Sequence, residues 1–325
     1  MQIGNNPLLT DLSRTLIRHS TFANAKSGME QAIQLVSNCC EPVGLALIGE
    51  TRTGKTTVID DFCSTYPVEV RQEYVYQPIL RIVTPSKPSV KSLADSFLVN
   101  LNDSQAGKGS EIVKTNRLKT LIKGMKTRMI IIDEFQHFYD KGTRSTALYV
   151  TDWLKTLIDE TGVALVVSGL PSCELVLAQN EQLAGRFLNS ISMVRFGPDE
   201  ANFTEFRGVL ASFNKRIAGH ISTIDFSNEE MAYRMFCATG GLMGYVSKFL
   251  KVLVSDALQT NAKQIDLSCF EKAFSKSTCM PGALFPEGLG NPFSNSFKVT
   301  APALEIARRI GVPVLPPEKK RRTRH

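Results

Sequence analysis

Gly49-Glu-Thr-Arg-Thr-Gly-Lys55-Thr56 follows the pattern G-x-x-x-x-G-K-[ST], and its flanks give that pattern chemical meaning. Val43-Gly-Leu-Ala-Leu-Ile48 before it reads as an apolar strand, and Thr57-Val-Ile-Asp-Asp-Phe-Cys63 after it reads as a helix. In that setting the loop's backbone N–H groups converge on phosphate oxygens at a helix N-terminus. Gly49, Glu50, Thr51, Arg52, Thr53, Gly54, Lys55, Thr56 and Thr57 are therefore the candidate contacts to a nucleoside triphosphate, with ATP and Mg²⁺ as the expected cofactors. Lys55 is expected to reach the β and γ phosphates and the Thr56 hydroxyl to ligate Mg²⁺.

A second stretch turns binding into expected hydrolysis. Arg128-Met-Ile-Ile-Ile-Asp133-Glu134 is an apolar run suited to a buried parallel strand, ending in two carboxylates. Open α/β sheets place ligands just outside the carboxyl ends of their strands, so both acids should lie beside the phosphate loop. Asp133 is the candidate partner of the Mg²⁺ shell, and Glu134 the candidate base that activates water.

The composition sets the frame around these motifs. A chain of 325 residues has room for one large α/β core and a smaller appended domain. With 43% hydrophobic and 21% charged residues it has an ordinary globular balance. Its cysteines show no C-x-x-C pairing and its four histidines are scattered, so no zinc site is suggested and reduced thiols in the cytoplasm are expected. No apolar run approaches the roughly eighteen residues that span a bilayer, so no membrane association is expected. The formal net charge of +7 is concentrated in two places. Residues 107–128 hold Lys108, Lys114, Arg117, Lys119, Lys123, Lys126 and Arg128 against Glu111 alone, and residues 318–325 hold Lys319, Lys320, Arg321, Arg322 and Arg324 against Glu318. Clustered positive charge is the footprint of a phosphate-backbone contact.

Periodicity predicts one or two helices in an N-terminal segment over 1–42, then an ATPase core over 43–198. Within the core, Val75–Val83 reads as a strand whose Pro78 argues for an edge or a bulge. Helices are predicted over 91–101, 110–126, 144–158 and 170–184, and strands over 162–169 and 191–196. Residues 199–275 show only helical stretches and read as an all-helical lid. Residues 276–325, rich in proline, glycine and asparagine, read as a flexible basic tail that a partner orders, docking Phe285, Pro292, Phe293 and Phe297.

This order of elements is the layout of an AAA+ P-loop NTPase: an α/β fold with a parallel sheet flanked by helices, a small helical lid and an extended C-terminal tail. A narrower resemblance rests on Gly49 to Thr56, Ile132-Asp-Glu-Phe-Gln-His-Phe138, Ser168-Gly-Leu-Pro171, Leu183-Ala-Gly-Arg-Phe187 and Thr239-Gly-Gly-Leu-Met-Gly244. Over about residues 10–275 the chain resembles the TniB/TnsC family of ATPase regulators of DNA transposition. The resemblance implies that Arg186 is an arginine finger reaching a neighbouring subunit's γ phosphate, and that Ser168 holds the sensor position, with Ser172 as its rival. The family often places a basic residue directly after the second glycine of its lid turn. Here Tyr245 follows Gly244, and Lys248 is the candidate substitute.

The resemblance also implies partners: duplex DNA, transposase subunits, a TniQ-like target-selection protein, and further copies of the chain assembled as a ring or helical filament. Lys108, Lys114, Thr115, Arg117 and Lys119 are the candidate DNA contacts, gripping phosphates without reading sequence. Two alternatives stay open, a helicase-loader or replication-initiation ATPase and a nucleotide switch that binds only protein.

Overall fold

The structure, a computed structural model, describes residues 7–39, 41–277 and 285–312. In chain order α1 (Pro7–Arg14) and α2 (Ser20–Cys39) precede β1 (Gly44–Gly49), α3 (Lys55–Ser64), β2 (Glu69–Val70), β3 (Val75–Tyr76), β4 (Ile79–Val83), α4 (Val90–Asn100) and α5 (Glu111–Gly124). Then come β5 (Met129–Asp133), α6 (His137–Asp140), α7 (Arg144–Thr161), β6 (Ala164–Gly169), α8 (Cys173–Leu177), α9 (Glu181–Ala184) and β7 (Ile191–Met193). The remainder holds α10 (Glu200–Ala218), β8 (Ser222–Thr223), α11 (Glu229–Thr239), α12 (Met243–Gln259), β9 (Gln264–Ile265), α13 (Leu267–Lys276) and α14 (Ala301–Ala307).

The chain forms two compact units, Ser20–Val194 and a helical unit that joins α1 to the described residues from Arg195 onward. The N-terminal segment expected over 1–42 is thus divided. Leu8 and Leu12 of α1 bury among the helical unit's apolar side chains, while α2 packs on the sheet of the other unit.

In the unit Ser20–Val194 five parallel strands run in the order β4-β5-β6-β1-β7. Every residue of β1, β5 and β6 is buried, as continuous apolar runs require when helices cover both faces. Pro78 splits the expected strand over 75–83 into β3 and β4. Proline offers no N–H to a ladder, and β4 accordingly lies at the sheet edge. α4 opens on a capping box between Ser89 and Ser92, and α7 on Thr143, whose hydroxyl accepts from the Thr146 N–H. The single helix expected over 170–184 is two short ones, because Asn180 starts a new cap by accepting from the Leu183 N–H.

The helical unit is not free of strands as its sequence suggests, because β8 and β9 pair in parallel over two residues. Its C-terminal segment overturns the expectation of an extended tail for the residues described there. Phe293 is fully buried and stacks on Phe249 with ring centroids 5.2 Å apart. Phe285 meets Phe274 at 5.5 Å, and Arg234 donates to the carbonyls of Pro292 (2.8 Å), Ser294 (3.1 Å) and Phe297 (3.2 Å). The reason is physical: α12 and α13 present an aromatic face of Phe249, Phe270 and Phe274 that this segment covers. The basic end expected at Lys319 to Arg324 lies outside the described residues. Among the described residues no helix is long and apolar enough to cross a membrane.

Candidate nucleotide site

The loop between β1 and α3 carries two left-handed residues, Arg52 (φ 67°) and Gly54 (φ 101°). Such alternation turns successive N–H groups to one side and makes an anion-binding nest, and at φ 101° only glycine is unstrained. Thr51, Arg52, Thr56 and Thr57 are exposed, whereas Thr53 is buried and its hydroxyl donates to the Glu50 carbonyl at 2.9 Å. Lys55, 7% exposed, donates to the carbonyls of Gly49 (2.8 Å) and Glu50 (2.6 Å). Burial pulls the Lys55 ammonium below its ordinary range, opposed by the Glu134 and Asp133 carboxylates.

The acid strand reaches the loop. The Thr56 hydroxyl donates to Asp133 Oδ2 at 3.1 Å, so the two expected metal ligands are adjacent. A hydroxyl and a carboxylate are the hard oxygen donors that Mg²⁺ takes alongside phosphate oxygens and water, and the pair suits it. Thr84 at the end of β4 anchors this strand end through its N–H (2.9 Å) and hydroxyl (3.0 Å) to the Asp133 carbonyl. Glu134 follows in a left-handed conformation, φ 56°, with its N–H bonded to Asp133 Oδ1 at 3.0 Å.

Strand order explains the position of Ser168. β6 lies between β1 and β5, with Ser168 in register with Leu47 and Val167 with Ile132. Ser168 thus sits at the carboxyl edge of the sheet between the phosphate loop and the acids. It is fully buried, and its hydroxyl has no hydrogen-bond partner among the described residues.

Arg186 lies beyond α9. Its guanidinium meets Asp159 of α7 at 2.8 Å, with the arginine side chain 31% exposed. Asp159 also faces Lys155 at 3.4 Å. Lys248 belongs to the helical unit and is exposed on α12.

The basic helix differs most from its sequence reading. Lys114 is fully buried and paired with Asp95 of α4, so it is withdrawn as a DNA contact. Arg117 pairs with Asp103 at 2.7 Å and donates to the carbonyls of Gln105 and Lys108. The Thr115 hydroxyl accepts from Trp153 Nε1 at 3.0 Å and donates to the Glu111 carbonyl at 2.8 Å. Lys119 pairs with Glu160 at 2.8 Å. Lys108, Lys123 and Lys126 stay exposed. Across residues 20–194 basic and acidic side chains are equal in number, so the chain's formal +7 belongs to the remainder.

A profile of the family described as bacterial TniB protein matches residues 13–196, more than half of the chain. The chain belongs to the TniB family. No curated protein matches it. Among solved structures, Cdc6p from Pyrobaculum aerophilum superposes with a TM-score of 0.61 at 13% identity, over 82% of this chain and 70% of that one. The ORC1 protein of Aeropyrum pernix in complex with DNA gives 0.55 at 13% identity, over 92% and 85%. The ADP form of the ORC2 protein from the same organism gives 0.57 at 13%, over 81% and 69%. These likenesses concern the fold: this TniB-family chain has the AAA+ P-loop architecture.

Two residues of the TniB-family site escaped the sequence reading. Arg81 of β4 lies 3.5 Å from Asp133 Oδ2 and also pairs with Asp60 of α3. Gln136 bonds Glu134 Oε2. Nothing local marks Arg81, since only the register Arg81↔Ile131 carries it toward Asp133. Gln136 had a signal in its place two residues past Glu134.

Proposed function

We propose that this TniB-family protein is a Mg²⁺-dependent ATPase that assembles on duplex DNA and couples target selection to a transposase. The observation that supports it best is the convergence of Lys55, Thr56, Asp133 and Glu134 at one sheet edge, with Thr56 bonded to Asp133 at 3.1 Å. Lys55 exchanges its two carbonyl partners for β and γ phosphate oxygens, and the loop N–H groups take the remaining phosphate charge. Thr56 and Asp133 would hold Mg²⁺, which supplies neutralisation of phosphate charge. Glu134 orients the attacking water and takes its proton. Ser168, with an unspent buried hydroxyl beside the acids, is the group on this chain suited to position that water. Arg186 acts on a neighbour's nucleotide after exchanging Asp159 for phosphate. Lys248 is the lid's candidate phosphate contact.

DNA contact by α5 and its flanking turns is reduced to the exposed cations Lys108 before the helix, Lys123 on it and Lys126 after it, with Lys119 available because a part-exposed ion pair is weak. The transposase, a TniQ-like protein and head-to-tail self-assembly are the partners this reading takes from the family. The likeness in fold to Cdc6p and the ORC proteins keeps a replication-type client as the second reading, and co-purification with a transposase or a helicase separates the two.

Lys55→Ala and Glu134→Gln test the division of roles. Lys55→Ala is expected to lose nucleotide binding. Glu134→Gln is expected to keep it and to lose phosphate release by about 100-fold or more. Equal loss of binding in the two variants would refute the assignment.

A further inference from the structure

Gln136 is 3% exposed in the turn that follows β5, held by Phe135 and Phe138, which are fully buried with ring centroids 5.2 Å apart. Its Oε1 accepts from the Leu170 N–H at 3.2 Å and faces the Cys173 thiol at 3.8 Å. Burial pushes that thiol up to about 12, so it stays a donor. Two donors on one side fix which way the amide points. Its Nε2 must face Glu134, whose carboxylate only accepts, and it donates to Oε2 there.

The backbone after β6 is shaped around this carboxamide. A Cβ on Gly169 would stand 2.0 Å from Gln136 Oε1 and 2.6 Å from Cys173 Sγ, so the close approach requires glycine. The side chain therefore joins two strand ends. One end carries Glu134, and the other carries Ser168 and the segment Gly169 to Cys173.

We propose that Gln136 is a positioning residue for Glu134, holding one carboxylate oxygen so that the other faces water, and tying that orientation to the backbone that follows β6. The inference rests on the reading of Glu134 as the base. A carboxylate free to rotate spends most of its time away from the line of attack, and orientation of the reacting groups is a large part of catalytic rate. Because the second anchor is the Leu170 N–H, any displacement of the Gly169–Cys173 segment reaches the base through one buried side chain.

A double-mutant cycle between Gln136→Met and Glu134→Gln tests it, read by single-turnover ATP cleavage and nucleotide affinity on the full chain. Gln136→Met is expected to slow cleavage about 10- to 100-fold while nucleotide affinity changes less than about twofold. In the Glu134→Gln background the same change is expected to cost nothing further. If Gln136→Met does not fold, Gln136→Asn replaces it, since it keeps an uncharged amide but is one methylene too short to reach the Leu170 N–H and Glu134 together. Wild-type cleavage in Glu134→Gln would overturn the reading of the base itself. Impaired Glu134→Gln together with wild-type Gln136→Met, with additive effects, or with affinity falling in step with rate, would overturn the role of Gln136 alone.

Discussion

Phe293→Ala probes whether residues 285–312 are part of the helical unit's core. Phe293 is fully buried, stacks on Phe249 at 5.2 Å with the planes 6° apart, and meets Phe270 at 5.3 Å and Phe274 at 6.1 Å. Truncating a buried phenylalanine costs about 3–5 kcal/mol, from the transfer free energy of the removed atoms and the cavity left behind. Three aromatic neighbours, each worth about 0.5–1.5 kcal/mol beyond area, place this site in the upper half of that range, at about 4 kcal/mol. For a domain of about 150–250 residues each kcal/mol moves the midpoint by about 2–4 °C, so the expected drop is about 8–16 °C. Thermal unfolding followed by circular dichroism reads it. Fluorescence of Trp153, the chain's single tryptophan, reports on the unit Ser20–Val194 separately. A drop below about 3 °C would show that the segment adds little to the core, and an extended, partner-ordered tail would then be the better description. By the same reasoning, truncation after Lys276 is expected to destabilise the helical unit and to expose Phe249, Phe270 and Phe274.

Arg186→Ala is expected to lower ATP turnover while nucleotide affinity holds, and to lower stability by no more than about 1 kcal/mol because the Asp159 pair is part-exposed. Turnover in mixtures with Glu134→Gln subunits checks the action in trans, and independence from mixing would sink it. Reversing Lys108, Lys123 and Lys126 to Glu is expected to flatten the salt dependence of duplex binding by about 0.9 in log–log slope for each phosphate no longer neutralised, whereas Lys114→Met should leave it unchanged. An equal change in slope for Lys114→Met would contradict its burial. His19 lies edge-on to Phe196 at 5.2 Å, and burial holds its imidazole below the ordinary range, with Glu205 opposing. The unfolded chain then binds the extra proton first, so this stability is fully present above about pH 6.5 and is lost as pH falls through the lower folded value. The thermal midpoint of wild type should fall relative to that of His19→Leu as pH falls from about 7.5 to about 5. A pH-independent gap would refute the burial argument.

Features confined to a short window are legible in the chain alone. Gly49 to Thr56 and Met129 to Glu134 each lie on a strand end, and hydrophobic runs with terminal glycine, lysine or carboxylates are visible without knowing any neighbour. The helices over 91–101, 110–126 and 144–158 are legible for the same reason, because their periodicity and caps lie close together in the chain. Strand order is a different matter: it is settled only when the sheet assembles, and with it the placing of Ser168 between the loop and the acids. The fate of α5 is settled in the same way. Counted along the chain the helix is strongly basic, yet Asp95, Asp103 and Glu160 arrive from other elements and neutralise Lys114, Arg117 and Lys119. The C-terminal aromatics follow the same rule: their composition suggests an open tail, but the face that buries Phe293 is built by α12 and α13, which include Phe249 and Phe270 from much earlier in the chain. Coulomb attraction and apolar burial act through space, so the sequence window that contains a group does not contain its partners.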